Sequence, residues 1–194
     1  MDKSKKLNGK DLVNAGVFTA IYVVVIMALA MLGYVPIFMP LYSILMPLFG
    51  GIVFMLYLTK VKKFGMILLM SVLMGIVMWL TGMSWYALAF GTVAGLIAEF
   101  IYKSGEYKSS KKAVLAHAFF SLWVWTNYIP LFFCPEKYWS TRQDFGEEYI
   151  TKLQSLMPMW MCPVLFVACF IGGLLGGWLG LKILKKHFAK AGIV

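Results

Sequence analysis

Residues 157–181 read MPMWMCPVLFVACFIGGLLGGWLGL, twenty-five positions without one charged side chain. A helix needs about 20 mostly apolar residues to cross the ~30 Å hydrocarbon core of a bilayer, so this stretch is long enough to span it. Lipid offers no partner for unpaired backbone groups, and the run lacks the in–out alternation of a barrel strand, so the span is helical. Its glycines fall in two interleaved GxxxG registers, Gly172-Gly176-Gly180 and Gly173-Gly177. Small residues at that spacing let neighbouring backbones approach closely where no hydrophobic drive exists between helices.

Further stretches of the same kind lie towards the N-terminus, at about 12–33, 37–59, 64–80, 83–102 and 113–134. The expectation is an all-α membrane protein, a single six-transmembrane-helix bundle filling residues 1–194. Composition agrees: 61% of the 194 residues are hydrophobic and 13% charged. Too little polar surface exists to cover a soluble enzyme or a nucleic-acid-binding domain, despite a formal charge of +10. The first span follows lysines but is too long for a signal peptide and lacks a small-residue cleavage pattern.

The charge excess carries orientation. Fifteen of the eighteen basic residues fall at one side of the predicted bundle: Lys3, Lys5, Lys6 and Lys10, then Lys60, Lys62 and Lys63, then Lys103, Lys108, Lys111 and Lys112, then Lys182, Lys185, Lys186 and Lys190. Lys137, Arg142 and Lys152 remain on the other, beside Glu136, Asp144, Glu147 and Glu148. By the positive-inside rule both termini are expected in the cytoplasm, in the plasma membrane. The one long connection, residues 135–156, then lies outside. In it Phe145, Tyr149, Leu153 and Leu156 recur at helical spacing and Glu148 precedes Lys152 by four, as in an amphipathic surface helix.

Catalytic motifs are missing. Gly9-Lys10 lacks the remainder of a P-loop, and HExxH, GxSxG and CxxC do not occur, so the chain is not expected to be an enzyme or to need a cofactor or metal. Glu147-Glu148 lies in the outer loop without a histidine-bearing partner helix. His117 reads as a packed or interfacial residue and His187 falls in the tail. Cys134, Cys162 and Cys169 read as small apolar filler. Glu99, close to the cytoplasmic end of its span, is expected to snorkel out of the lipid.

The outer half gathers aromatic and amide groups. An interfacial aromatic belt accounts for about half of them. Trp85, Tyr86, Trp123, Asn127, Tyr128 and Trp160 are the candidate substrate-binding residues, an aromatic-lined pocket suited to a small planar molecule. Pro158 and Pro163 bracket Trp160 and free carbonyls near it. In the first span, Ala15-x-x-x-Thr19 and Gly16-x-x-x-Ala20 place small residues near the cytoplasmic end, where a partner helix can dock.

Taken together, six helices in about 190 residues, both termini inside and no energy-converting motif resemble the substrate-binding S component of an energy-coupling-factor (ECF) transporter. Within that class the chain resembles the Trep_Strep group of integral membrane proteins. The likeness runs through Lys10-Asp11-Leu12 and Gly16-Val17-Phe18-Thr19-Ala20-Ile21-Tyr22, then Met31-Leu32-Gly33 with Pro36 and Pro40. It continues in Leu58-Thr59-Lys60-Val61-Lys62-Lys63-Phe64-Gly65 and Leu80-Thr81-Gly82-Met83, and ends in Lys185-Lys186-His187-Phe188 and Lys190-Ala191-Gly192. The resemblance implies that Ala15, Gly16, Thr19 and Ala20 pack against a transmembrane T component, linked to two cytoplasmic ATPases. It also implies an outward pocket on helices four to six and the 135–156 loop, taking a small vitamin-like molecule from outside. The alternatives are a ligand-free membrane scaffold or a stand-alone solute facilitator.

Overall fold

A computed structural model describes residues 6–61, 63–83 and 85–188, the side chains of 187 and 188 excepted. Lys3, Lys5, Lys62 and Lys190 of the charge pattern, Ala191 and Gly192 of the tail signature and the His187 side chain lie outside the described residues. Among those described, the chain is helical throughout and has no strand. Its long helices are α1 (Gly9–Ala30), α2 (Phe38–Leu58), α3 (Met66–Leu80), α4 (Tyr86–Lys103) and α5 (Ser110–Phe120). Short helices follow, α6 (Trp123–Thr126), α7 (Ile129–Phe133), α8 (Pro135–Ser140) and α9 (Glu147–Leu156), before α10 (Met161–Ile183).

Four segments are long and apolar enough to cross a membrane: Gly9–Tyr34, Phe38–Leu58, Tyr86–Lys103 and Met161–Lys186. The other two of the six expected spans differ from a full helix. α3 has 15 residues, about 22 Å at 1.5 Å per residue and shorter than the hydrocarbon core. The stretch expected as one span over 113–134 is broken into α5, α6 and α7. Its polar side chains supply the reason. Ser121 Oγ donates to His117 O at 2.8 Å, Thr126 Oγ1 to Trp123 O at 2.6 Å, and Asn127 Nδ2 to Trp123 O at 2.9 Å. Trp123 O is thereby taken by side chains while Asn127 N turns to Val124 O at 3.2 Å; His117 O keeps its backbone donor Ser121 N at 2.9 Å, and Pro130 brings no N–H to renew the ladder.

α10 packs most extensively on α2 and next on α5, and its two glycine registers divide the neighbours between them. A Cβ built at Gly172 would fall 3.0 Å from Ile44 Cα, one at Gly180 2.6 Å from Gly51 O, and one at Gly176 on the Pro47 carbonyl oxygen, all in α2. The second register faces α5, where a Cβ at Gly173 would meet Ala118 Cα at 2.6 Å and one at Gly177 Val114 Cα at 3.2 Å. The interleaved repeat is therefore a corner, one edge for each partner helix.

Tyrosines tie the helix ends. Tyr42 donates to Ala30 O at 2.8 Å, Tyr57 to Met66 O at 2.6 Å and Tyr128 to Met39 O at 2.7 Å. Two ends of the bundle result. The basic end joins the start of α1, the α2–α3 and α4–α5 connections and the end of α10. The loop end carries the turns at Gly33 and Gly82 together with α8 and α9.

At the basic end, Asn8 and Asp11 cap α1 reciprocally, and Asp11 Oδ2 accepts from Lys63 Nζ at 2.7 Å. α3 starts after Gly65, whose φ of +97° suits glycine but leaves no capping side chain. Glu99 of α4 does that work from across the interface, accepting from Ile67 N at 2.8 Å and Leu68 N at 3.2 Å. It is 0% exposed. The expected snorkelling is corrected: the carboxylate turns inward because the orphan donors of α3 lie there.

Candidate functional site

At the loop end, the 135–156 connection is strapped to both hairpin turns. Tyr149 Oη donates to Gly33 O, and Phe145 stacks on Tyr34 and lies against Tyr149. Arg142 Nη2 donates to Gly82 O at 2.9 Å while its guanidinium lies over the Tyr138 ring. Burial pushes the Tyr149 phenol up to about 12, so it remains a donor throughout the neutral range. The amphipathic helix expected here is α9, with Leu153 fully buried and Tyr149 and Leu156 half-buried. The expected Glu148–Lys152 pair does not close; Lys63–Asp11 is the salt bridge among the described residues. Both partners of the expected pair sit on the exposed face of α9, where holding two long side chains together brings little.

Beneath the strap lies a cavity of about 210 Å³, walled by Leu131, Phe132, Leu153 and Met157, with Trp139 and Gln154 on its lining. Trp139 is 9% exposed, and its indole N–H has no hydrogen-bond acceptor among the described residues. Trp139 counts among the outer-half aromatics of the sequence and lies in the 135–156 loop, but it is not one of the six candidate residues.

The six candidate pocket residues are dispersed, and none of them lines this cavity. Trp123 and Tyr128 are core side chains: Trp123 Nε1 donates to Tyr22 Oη at 3.4 Å, and Tyr128 is bonded to Met39 O. Asn127 is half-buried, with its amide nitrogen on Trp123 O and Val124 O and its Oδ1 buried without a partner. Trp85 and Trp160 are 56% and 66% exposed, and Trp85 stacks on Tyr86 with centroids 4.6 Å apart. The carbonyl that Pro163 deprives of its helical donor, Met159 O, accepts from Cys162 N at 3.1 Å rather than lying free, and Cys162 O accepts from Trp125 Nε1 at 2.9 Å. His117 is packed, with Nδ1 2.7 Å from Gly173 O and Nε2 3.3 Å from Ser121 Oγ. Cys162 and Cys169 are buried and Cys134 exposed, all three as free thiols.

A larger cavity, about 410 Å³, opens at the basic end between Leu58, Tyr102, Tyr107, Ser109, Leu184 and Lys185. Tyr107 links it to Glu99, lying 3.4 Å from Oε1, and burial beside that carboxylate raises the Tyr107 phenol above its ordinary range.

The small residues of α1 separate into two faces. Ala15 is 0% and Thr19 4% exposed, with Thr19 Oγ1 donating to Ala15 O at 2.7 Å. Gly16 and Ala20 are exposed, and a Cβ at Gly16 would meet nothing within 4 Å. The expectation that all four meet a partner is narrowed: α1 already turns Ala15 and Thr19 to its own bundle, so an outside helix reaches Gly16 and Ala20.

No curated protein and no solved structure is detectably similar to this chain. The sequence profile of a family described as a hypothetical bacterial integral membrane protein, Trep_Strep, matches residues 9–190, and that range takes in every helix described above. The chain is a multi-pass membrane protein belonging to the Trep_Strep family.

Proposed function

We propose that this chain is the substrate-binding S component of an ECF-type importer in the plasma membrane. In this reading six segments span the bilayer, both termini face the cytoplasm, and a small, planar, vitamin-like molecule is taken from outside. A T component and two ATPases move it inward. The observation that carries the reading is the exposed Gly16–Ala20 edge of α1 at the basic end, a strip where a second transmembrane helix can approach to backbone distance. The lysine distribution supports the orientation.

Movement of the whole body in lipid fits the placement of Glu99. Here the carboxylate is held by two N–H groups inside the protein and travels with its partners.

The test is co-expression with the T component and ATPases of the same genome, followed by capture through a tag on this chain. The expected result is a stable complex that Gly16→Leu or Ala20→Leu disrupts while the isolated chain still elutes as a sharp peak. Recovery of the chain alone, or complexes indifferent to both substitutions, refutes the assignment. Flux of solute through the isolated chain in liposomes without ATP favours a facilitator instead.

A further inference from the structure

We propose that the cavity at the basic end binds one anionic phospholipid, with Lys108 and Lys185 holding its phosphate and the apolar floor taking the glycerol and the roots of its chains. The site lies at the other end of the bundle from the 135–156 strap and stands apart from the transporter reading.

Position sets the first limit. Leu58 ends one candidate span and Lys185 lies in the last turn of another, so the cavity between them sits where a bilayer passes from hydrocarbon to headgroup. Composition sets the second. Leu58, Ala113 and Leu184 are buried and apolar, whereas Lys108, Ser110 and Lys185 are exposed, giving an apolar floor under a cationic rim. No carboxylate lines the space, and neither lysine has an ion pair or a hydrogen bond among the described residues. The complement is a molecule apolar on one side and anionic on the other, and at headgroup level that molecule is a phospholipid. Size sets the third. About 410 Å³ lies within the range of small-molecule sites, room for a headgroup and glycerol while the tails stay in the lipid.

The turn that brings Lys108 to the rim is firmly built. Glu106 and Tyr107 take φ of +54° and +58°, a left-handed conformation sparsely populated outside glycine. Tyr102 holds it, donating to Tyr107 O at 2.9 Å and meeting the Tyr107 ring edge to face. Glu106 itself is exposed and off the lining. Lys108 belongs to the α4–α5 connection and Lys185 to the turn after α10, so a phosphate held by both joins these two segments over the end of α2.

The test uses the full chain in detergent, with bound lipid counted by native mass spectrometry. Phosphatidylglycerol is the anionic probe, phosphatidylcholine the zwitterionic one and glycerol 3-phosphate the soluble one. The expected result is one saturable phosphatidylglycerol per chain, phosphatidylcholine about tenfold weaker or worse, and no displacement by glycerol 3-phosphate. Lys108→Gln combined with Lys185→Gln should weaken phosphatidylglycerol binding about thirtyfold, from about 1 kcal/mol for each lysine. Lys111→Gln combined with Lys186→Gln removes the same charge from outside the lining and should change binding by less than about threefold. Equal losses in the two pairs, equal binding of the two lipids, or displacement by glycerol 3-phosphate overturns the proposal. Failure of T-component capture leaves lipid binding intact and counts against the transporter reading alone.

Discussion

Replacing Gly176 by alanine tests the contact on which the bundle depends. A Cβ there falls on the Pro47 carbonyl oxygen and 2.8 Å from Leu48 Cα. Both obstacles are backbone, so no rotamer change relieves them and α2 and α10 must separate. That separation also loosens Gly172 and Gly180, which share the register. Alanine favours the helix by about 1 kcal/mol over glycine, whereas overpacking a close core contact costs about 1–3 kcal/mol. With rigid backbone on the far side the upper half of that range applies, and the net loss is about 1–2 kcal/mol.

Gly16→Ala is the matched control, because its Cβ meets nothing within 4 Å and the helix preference stands alone. At about 2–4 °C per kcal/mol for a chain of this size, the two variants should melt about 4–12 °C apart, with Gly176→Ala the lower. Gly177→Ala, which meets the far end of the Met55 side chain at 3.1 Å and Val114 Cα only at 3.2 Å, should fall between them. The assay is size-exclusion recovery after heating in detergent on one fixed schedule, since such unfolding is a rate-governed loss. Gly176→Ala melting at or above the parent, or Gly16→Ala falling as far, refutes the close α2–α10 approach.

Glu99→Ala leaves two N–H groups at the start of α3 without an acceptor and should cost about 2–4 kcal/mol; Glu99→Gln, which keeps one acceptor oxygen, should cost less. Hydrogen exchange over 66–70 should quicken in the same order, and equal protection in both variants would contradict the capping role. A double-mutant cycle on Asp11 and Lys63, both partly exposed, should give a coupling below about 1 kcal/mol that shrinks in high salt; a coupling indifferent to salt would place the pair in a drier setting. Tyr149→Phe removes the bond to Gly33 O and should raise exchange across 147–156 several-fold while the melting temperature moves by only a few degrees. Unchanged exchange would show that stacking on Phe145 alone holds the strap.

Features that sum over neighbouring residues were open to reading along the chain. The apolar length of α1, α2, α4 and α10, the lysine clusters at one end and the amphipathic spacing of α9 each belong to a single stretch. Bilayer thickness and helical period judge such stretches one at a time. The break in the fifth expected span was hidden because apolar content does not register Thr126 and Asn127 taking the Trp123 carbonyl.

Pairings between distant stretches lay beyond that reach. The sequence displays two glycine registers in α10, but only packing assigns one to α2 and the other to α5. It places Glu99 near an interface, but the orphan N–H groups that turn it inward belong to a helix more than thirty residues earlier. Trp123 and Trp139 look alike as loop-end aromatics; the fold bonds one to Tyr22 and leaves the other's N–H facing no partner. Hydrophobicity and charge place a segment in or beside the lipid, whereas the neighbour each side chain meets is decided by which helices close on one another.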